Sequence, residues 1–288
     1  MLESNERTLT TMEEELKLGG YRPKTVSSYL GVASRFLRHT DKPTSRLTHK
    51  DVRNYMLYLT DERKAAPSTV NQAHFGIRYL YTDVLKKTWR TELKLHKRPE
   101  RLPIVLNREE IAKLFGATED RKYRTIWMTL YGSGLRVSEA VQLRVGDIDS
   151  EAMRLMVRNG KGNKDRYSIL SQGLLEQLRL HWKIYRPGEW LFYGRDREQP
   201  LLTRTVQRAF QEARNRAGIR KAASPHSLRH AFATHMMENG ANLLYIRDLL
   251  GHRSIKSTMV YLKITRDGLE RPENPLDQMI AAHPSVVR

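Results

Sequence analysis

The 288-residue sequence contains no cysteine, and it lacks several other features that mark whole classes of protein. Without thiols, neither disulfide bonds nor a cysteine nucleophile are available. No apolar run approaches the roughly 20 residues that a membrane span requires. The first 20 residues carry five Glu and lack the apolar core of a secretory signal. We therefore expect a protein of the reducing cytoplasm.

Negative charge is also scarce. The chain has 51 Lys and Arg against 32 Asp and Glu, which gives a formal net charge of +19. Residues 1–100 hold 19 basic against 12 acidic residues, and residues 101–288 hold 32 against 20, so both parts are basic. Positive charge spread over two folded units is typical of proteins with two surfaces that face one long polyanion, such as nucleic acid.

The first 95 residues are predicted to form a small helical domain. Apolar side chains recur there at helical spacing, and Gly or Pro residues separate the segments. Residues 96–106 carry two prolines among basic residues and show neither helical nor strand spacing, which predicts a linker. Helices are expected from about Thr8 to Leu18, from Pro23, from near Thr48 and from near Pro67.

Residues 107–288 are predicted to form a second domain, mainly α with a small β-sheet. The sheet is a hairpin of two alternating segments, MRLMVRN and DRYSIL, joined by residues 160–164. A tail broken by prolines is expected from about residue 266. Helices are expected from Asn107 and at about 121–131, 135–144, 172–185, 203–217, 226–239, 242–250 and 254–264.

Four short segments of this second domain contain side chains that could act together in catalysis: GSGLRVSEAVQLRVGDID, NGKGNKDR, PHSLRHAFATH and LLGHRSIKSTMVYLKI. On a helix, His226 and Arg229 project from one face because they are three residues apart. Each candidate alone is more typical of an ordinary surface or packing residue. The six candidates are Arg136, Lys161, His226, Arg229, His252 and Tyr261, and Glu139 lies one turn beyond the first of them.

With these six positions in this order, residues 107–265 resemble the tyrosine recombinase (phage integrase) family. Over residues 1–95 the resemblance rests only on a helical domain of suitable size. It implies a two-domain, C-shaped clamp whose first domain is SAM-like. The expected partner is double-stranded DNA with an inverted-repeat site, and the expected assembly is a homotetramer in synapsis, with or without a second recombinase. The protein is then expected at the nucleoid.

The resemblance also implies the chemistry. Tyr261 attacks a DNA phosphodiester to give a 3′-phosphotyrosine and a free 5′-hydroxyl. The hydroxyl of a second DNA strand later attacks the phosphotyrosine and reseals the DNA, and no ATP, metal or cofactor is required. Arg136 and Arg229 are suited to stabilise the negative charge that builds on the phosphate oxygens, because a guanidinium group stays charged and can bind two oxygens at once. The resemblance makes Lys161 the acid for the leaving oxygen and His252 a hydrogen-bond donor to the phosphate. The candidate base is His226.

Several alternatives remain open. Glu139 either orients a catalytic cation or forms an ordinary surface ion pair. A metal nuclease would use His226, His230 and His235, but the zincin pattern and a carboxylate cluster are lacking. His230 is more typical of a histidine with a structural role, which packs or forms a hydrogen bond within the fold. The GKGNK stretch lacks the spacing of a phosphate-binding loop. The second function considered is a DNA-binding protein without catalysis, which charge and fold suit equally well.

Within the family, the chain resembles compact bacterial members, both Xer-type resolvases and the integrases of transposons and integrons. The PENPLDQM segment after Tyr261 is similar to integron integrases, although the segment 182–226 is short for the extra helix of those enzymes. We therefore favour a mobile-element or accessory recombinase. The tail from about residue 266 either docks on a neighbouring protomer or is a frayed terminus.

Overall fold

The computed structural model describes residues 2–89, 95, 102–158, 165–252 and 254–265, with backbone only at 263–265. The chain divides into two compact units, Met1–Glu100 and Arg101–Arg288. The linker predicted at 96–106 lies largely outside the described residues, so its bounds stay a prediction. The predicted tail from residue 266 also lies outside them.

The first unit consists of helices around one apolar core. Pro23 and Pro67 at the first position of two helices, and a Thr48 capping box at the start of a third, explain where these helices begin. The core includes Phe36, whose ring contacts that of Tyr55 edge-on and that of Tyr81 at a tilt. Its helices are α1 (Glu3–Leu18), α2 (Pro23–Thr40), α3 (His49–Leu57) and α4 (Pro67–Tyr79), and the last two continue as π-helical segments at Tyr58–Glu62 and Leu80–Val84.

The second unit is also mainly helical, which confirms the predicted fold class. The helix Pro225–Glu238 forms its centre: ten of the 14 residues of this helix are buried, so it contacts neighbours on nearly every side. The helices are α5 (Arg108–Gly116), α6 (Arg121–Ser133), α7 (Val137–Ala140), α8 (Gln172–Tyr185), α9 (Thr203–Arg216), α10 (Pro225–Glu238), α11 (Leu243–Leu250) and α12 (Lys256–Thr265).

A three-stranded antiparallel sheet, in the order β1-β2-β3, joins the helices of the second unit. The predicted hairpin is formed by β2 (Arg154–Val157) and β3 (Arg166–Ile169), with Leu155 opposite Ser168. The short strand β1 (Ile148–Asp149), which pairs with β2, was not predicted. Residues 159–164 of the hairpin lie outside the described residues.

One expected helix, at 135–144, was wrong in extent, since α7 is only four residues long. Arg136 has an extended backbone (φ −73°, ψ 152°) and precedes the helix as its N-cap. At the other end, the carbonyl of Leu143 accepts a hydrogen bond from Leu191, and Val145 donates to Glu189. These strand-like contacts with a distant segment replace the helical bonds that local spacing predicted.

Of the residues described, none belongs to a helix long and apolar enough to cross a bilayer.

Candidate active site

A glycine turn places the first candidate side chain. Gly134 ends α6 with φ +60°, a conformation that other residues rarely adopt. A Cβ atom at this position would lie 2.4 Å from Cδ1 of Phe232, so the close packing on α10 also requires glycine. The turn lets the chain reverse and leaves Arg136 at the start of α7.

Glu139 is the anionic centre of the site. Its carboxylate accepts hydrogen bonds from the backbone N–H of Arg136 at 2.8 Å and from the guanidinium of the same residue at 2.7 Å. Arg166 on β3 donates to both carboxylate oxygens, at 3.0 and 2.8 Å. Nη1 of Arg229 lies 3.5 Å from Oε2. Because the Glu139 side chain is only 7% exposed, this arrangement is a buried cluster and not a surface ion pair.

Two of these arginines also bind the end of α11. Nη2 of Arg229 donates to the carbonyl of Leu250 at 2.6 Å, and Nε of Arg166 donates to the carbonyl of Leu249 at 2.9 Å. The last carbonyls of a helix lack partners within the helix and carry partial negative charge, so they favour cations. A further bond runs from Nη1 of Arg229 to the carbonyl of Gly134, at 2.7 Å. The two guanidiniums therefore connect α7, β3, α10 and α11.

The LLGH segment has a structural role in this connection. Gly251 follows α11 with φ +62°, and a Cβ atom there would lie 2.8 Å from Cδ of Arg166. Glycine therefore allows Arg166 to pass close to the helix end. The next residue, His252, has its Nδ1 2.9 Å from the hydroxyl of Thr258 on α12, which orients the imidazole ring.

The phenol of Tyr261 lies in a small apolar cluster between α10, α11 and α12, and the residue is 1% exposed. Its hydroxyl is 3.0 Å from Nδ1 of His230, one turn after His226 on α10. The two imidazole rings meet edge to face, with centroids 4.9 Å apart. His226 is exposed at the start of the helix, whereas His230 is partly buried.

Lys161 lies outside the described residues, but both sides of its loop are fixed. On one side, Nε of Arg158 lies 2.7 Å from the buried carboxylate of Asp147. On the other side, Arg166 is bound to Glu139. The segment that contains Lys161 is therefore followed directly by β3, whose first residue belongs to the buried cluster.

Burial and charge shift the ionisation of these groups. Burial alone would raise the pKa of Glu139, but the Arg166 guanidinium and the other hydrogen bonds outweigh it and hold that pKa at about 2. Burial and the neighbouring Arg136 lower the pKa of Arg229 to about 9, which leaves it cationic at neutral pH. Three guanidiniums around one carboxylate give the site a net positive field.

The same two causes act on the histidines and on the tyrosine. Burial, His226 and Arg229 lower the pKa of His230 to about 4. Desolvation and the charges of Arg229 and Arg136 also lower the pKa of His226. Burial raises the pKa of Tyr261, and the charges of Arg229 and Arg136 oppose that rise. At neutral pH, both imidazoles are therefore neutral and the phenol is protonated.

The three histidines of the metal-nuclease interpretation do not converge. Nδ1 of His235 lies 2.9 Å from the hydroxyl of Tyr131, away from the His230–Tyr261 pair. Among the described residues, no group of three or more His, Asp or Glu side chains is arranged to hold a metal ion.

Comparison with known proteins identifies the family of this chain. Residues 105–267 match the Phage integrase family, and residues 9–91 match its N-terminal SAM-like domain. The chain belongs to the phage integrase family. A protein of Sinorhizobium fredii (strain NBRC 101917 / NGR234), named as an integrase/recombinase, is 40% identical over 268 residues, which are 92% of this chain and 87% of that protein.

This family member is also similar to a tyrosine recombinase by sequence and to two recombinase structures. Tyrosine recombinase XerA of Pyrococcus furiosus is 33% identical over 274 residues, 92% of this chain and 93% of the relative. The crystal structure of XerA recombinase is 26% identical, with a TM-score of 0.52, and the match covers 97% of this chain and 98% of that one. A lambda integrase dimer bound to a COC′ core site shares the fold at 21% identity, with a TM-score of 0.71 and coverage of 88% and 96%. The chain is thus a tyrosine-type site-specific recombinase.

The structure of this recombinase also adds two residues that the sequence interpretation did not assign to the site. Arg166 is the last residue of the GKGNKDR segment, and its spacing from Lys161 along a hairpin offered no reason to pair it with Glu139. His230 was interpreted as a histidine with a structural role, and the structure shows it hydrogen-bonded to Tyr261. A signal was present, since His230 follows Arg229 directly and lies one helical turn after His226.

Proposed function

We propose that this recombinase cleaves one DNA strand with Tyr261 and joins the 3′ end to that residue, before a second strand displaces it. The observation that carries the proposal is a buried phenol, hydrogen-bonded to a neutral imidazole, within the electrostatic range of Arg229 and Arg136. A phenol needs both a proton acceptor and a positive field to act as a nucleophile near neutral pH. A DNA-binding protein without catalysis needs neither, so that alternative is not favoured.

The arginines are proposed to stabilise the charge on the phosphate. Arg136 is the more accessible of the two, with a side chain that is 22% exposed, and Glu139 holds its guanidinium in place. Arg229 is held by two backbone carbonyls, so its position does not depend on bound DNA. Such preorganised donors cost no rearrangement when charge develops on the substrate.

The DNA phosphate must gain access to this site. Arg229 and Tyr261 are both only 1% exposed, so the helix that carries the tyrosine has to shift when DNA binds. One contact that such a shift would break is that of His252 with Thr258. We propose that His252 then donates to the phosphate.

Lys161 is proposed as the acid that protonates the departing 5′-oxygen. Its loop begins and ends at residues whose guanidiniums are fixed on buried carboxylates, Arg158 on Asp147 and Arg166 on Glu139. These two fixed flanking residues support the assignment, because Arg166 belongs to the buried cluster and is only five positions from Lys161 in the sequence. The sequence makes His226 the candidate base, and this stays a prediction; its exposed position at the start of α10 also suits contact with the phosphate.

The DNA partner is proposed to carry inverted repeats on both sides of a short spacer. Two basic units suit such a site, and half-sites about one helical turn apart are the usual geometry for symmetric DNA-binding proteins. A homotetramer on two such sites, with or without a second recombinase, would exchange the strands at the nucleoid. A mobile-element origin remains our preferred interpretation.

The decisive experiment starts with a search for such repeats in the DNA that flanks the gene. A duplex that carries the repeats is then prepared with a nick near the cleavage position. Wild type is expected to form a protein–DNA adduct that survives denaturant. Tyr261→Phe is expected to bind the same DNA with similar affinity and to form no adduct. Normal binding without any adduct from wild type would favour the non-catalytic protein, and substantial adduct from Tyr261→Phe would remove this residue as nucleophile.

A further inference from the structure

The imidazole that contacts the nucleophile is not one of the six candidate residues. The hydroxyl oxygen of Tyr261 lies 3.0 Å from Nδ1 of His230, and the two rings are tilted by 53° with centroids 5.8 Å apart. This distance is within the range of a hydrogen bond between a hydroxyl and a ring nitrogen. α10 and α12 are packed together through the same apolar cluster, which keeps the two side chains in register.

The positions of the two histidines on α10 indicate different roles. His226 is exposed at the first turn of the helix, whereas His230 is partly buried one turn further on. A phosphodiester approaches from solvent, so His226 is the imidazole that it meets. The phenol lies on the inner side, against His230.

We propose that His230, and not His226, accepts the phenolic proton when Tyr261 attacks DNA. This inference rests on the proposed function. In the step, the O–H bond of Tyr261 breaks, its proton passes to Nδ1 of His230, and the oxygen forms a bond to phosphorus. The bond from phosphorus to the 5′-oxygen breaks, and that oxygen takes a proton from the ammonium of Lys161. Rejoining runs the same transfers in reverse.

The surroundings of His230 keep the tyrosine protonated until DNA arrives. Around His230 stand His226 and Arg229 on its own helix and Tyr261 on the packed helix, and the first two lower its pKa to about 4. Since burial also raises the pKa of the phenol, proton transfer from Tyr261 to His230 is strongly unfavourable in the absence of DNA. A bound phosphate anion favours the imidazolium form, and bond formation to phosphorus removes the phenolate charge as it develops.

The chain supplies a matched control on the same helix. Nδ1 of His235 is 2.9 Å from the hydroxyl of Tyr131, a pair with the same atoms and nearly the same distance. His235 is more deeply buried than His230, so replacing it disturbs the packing of α10 at least as much. An asparagine at either position keeps an acceptor close to the place of Nδ1 but cannot take up a proton at neutral pH.

The test compares full-length wild type with His230→Asn, His226→Asn and His235→Asn in single-turnover adduct formation on the nicked site. Thermal melting and DNA affinity are measured for each variant. We expect His230→Asn to form the adduct about 10² to 10⁴-fold more slowly than wild type, with melting and affinity close to those of His235→Asn. Its rate should rise about tenfold per pH unit, because hydroxide must now remove the proton. If His230→Asn does not fold, His230→Gln replaces it.

A second substrate separates the acid from the base. When sulfur replaces the bridging 5′-oxygen, the leaving group needs no proton. This substrate should restore cleavage by Lys161→Ala but not by His230→Asn. The inference is overturned if His230→Asn cleaves within about threefold of wild type, if the sulfur substrate rescues it, or if His226→Asn alone shows the pH-dependent loss. Absence of an adduct from wild type would instead contradict the proposed function.

Discussion

Replacement of Glu139 by Gln tests whether one buried carboxylate holds the cationic site together. The change removes the negative charge near which Arg136, Arg166 and Arg229 gather and nearly preserves the size of the side chain. In the folded protein, the pKa of Glu139 lies at about 2, against an ordinary value of 4.5. Since one pKa unit corresponds to about 1.4 kcal/mol, this shift represents a stabilisation of about 3 kcal/mol at neutral pH. Loss of one partner from a buried ion pair typically costs a similar amount, about 3–5 kcal/mol.

The free energy of unfolding of Glu139→Gln should therefore be about 3 kcal/mol below that of wild type at pH 7. The pH dependence follows from the direction of the shift. Because the folded protein lowers the pKa, the stabilisation is complete above about 4.5 and is lost as pH falls through about 2. The difference between the two proteins should be constant from pH 7 to pH 5 and should narrow below that.

Urea unfolding followed by tryptophan fluorescence measures this difference. The background variant Trp89→Phe leaves Trp127, Trp182 and Trp190, all in the second unit, so the signal reports the unit that contains the site. Glu212→Gln provides the control, because its ion pair with Arg208 on α9 is exposed and should contribute less than about 1 kcal/mol. A loss within about 0.5 kcal/mol of that control, or a difference that is unchanged in acid, would refute the electrostatic account.

Two further outcomes are expected. Gly134→Ala should lower the free energy of unfolding by about 2–5 kcal/mol, because Ala is strained in the left-handed backbone and its Cβ contacts Phe232. Gly218 also has a positive φ but no atom within 4 Å of an added Cβ, so Gly218→Ala should cost only about 1–2 kcal/mol. Equal losses of the two variants in urea unfolding would count against the steric argument. DNA affinity, measured by fluorescence anisotropy, should fall on the order of 10³-fold between 50 and 200 mM salt because phosphate contacts release counterions; a flat response would contradict the charge argument.

Most of the helices and the hairpin could be predicted because their signals are local. The spacing of apolar residues and the positions of Pro and Gly predicted α8 at its observed bounds and α2, α9 and α11 within a few residues. The failure at 135–144 has a different cause. The segment after Ala140 bonds to residues 189–191, almost 50 positions further along the chain, and no local pattern contains that partner.

The site could be predicted only in part, for the same reason. The four motifs identified the residue types, and the structure brings Arg136, Arg229 and Tyr261 within electrostatic range of one another. The motifs could not indicate that Glu139 is buried or that Arg166 binds both of its oxygens. Those facts depend on how β3 packs against α7 and the end of α11.

The sequence alone determined which chemical groups are present. It supplies many Lys and Arg side chains, no cysteine, and a tyrosine nine residues after a histidine. These follow from composition and order, which folding does not change. Only the tertiary structure decided which groups are partners. Glu139 and Arg166 are 27 residues apart, and His230 and Tyr261 are 31 apart, so each pair forms only when separate helices and strands pack around a shared core. That packing, and not the spacing, places the phenol against His230.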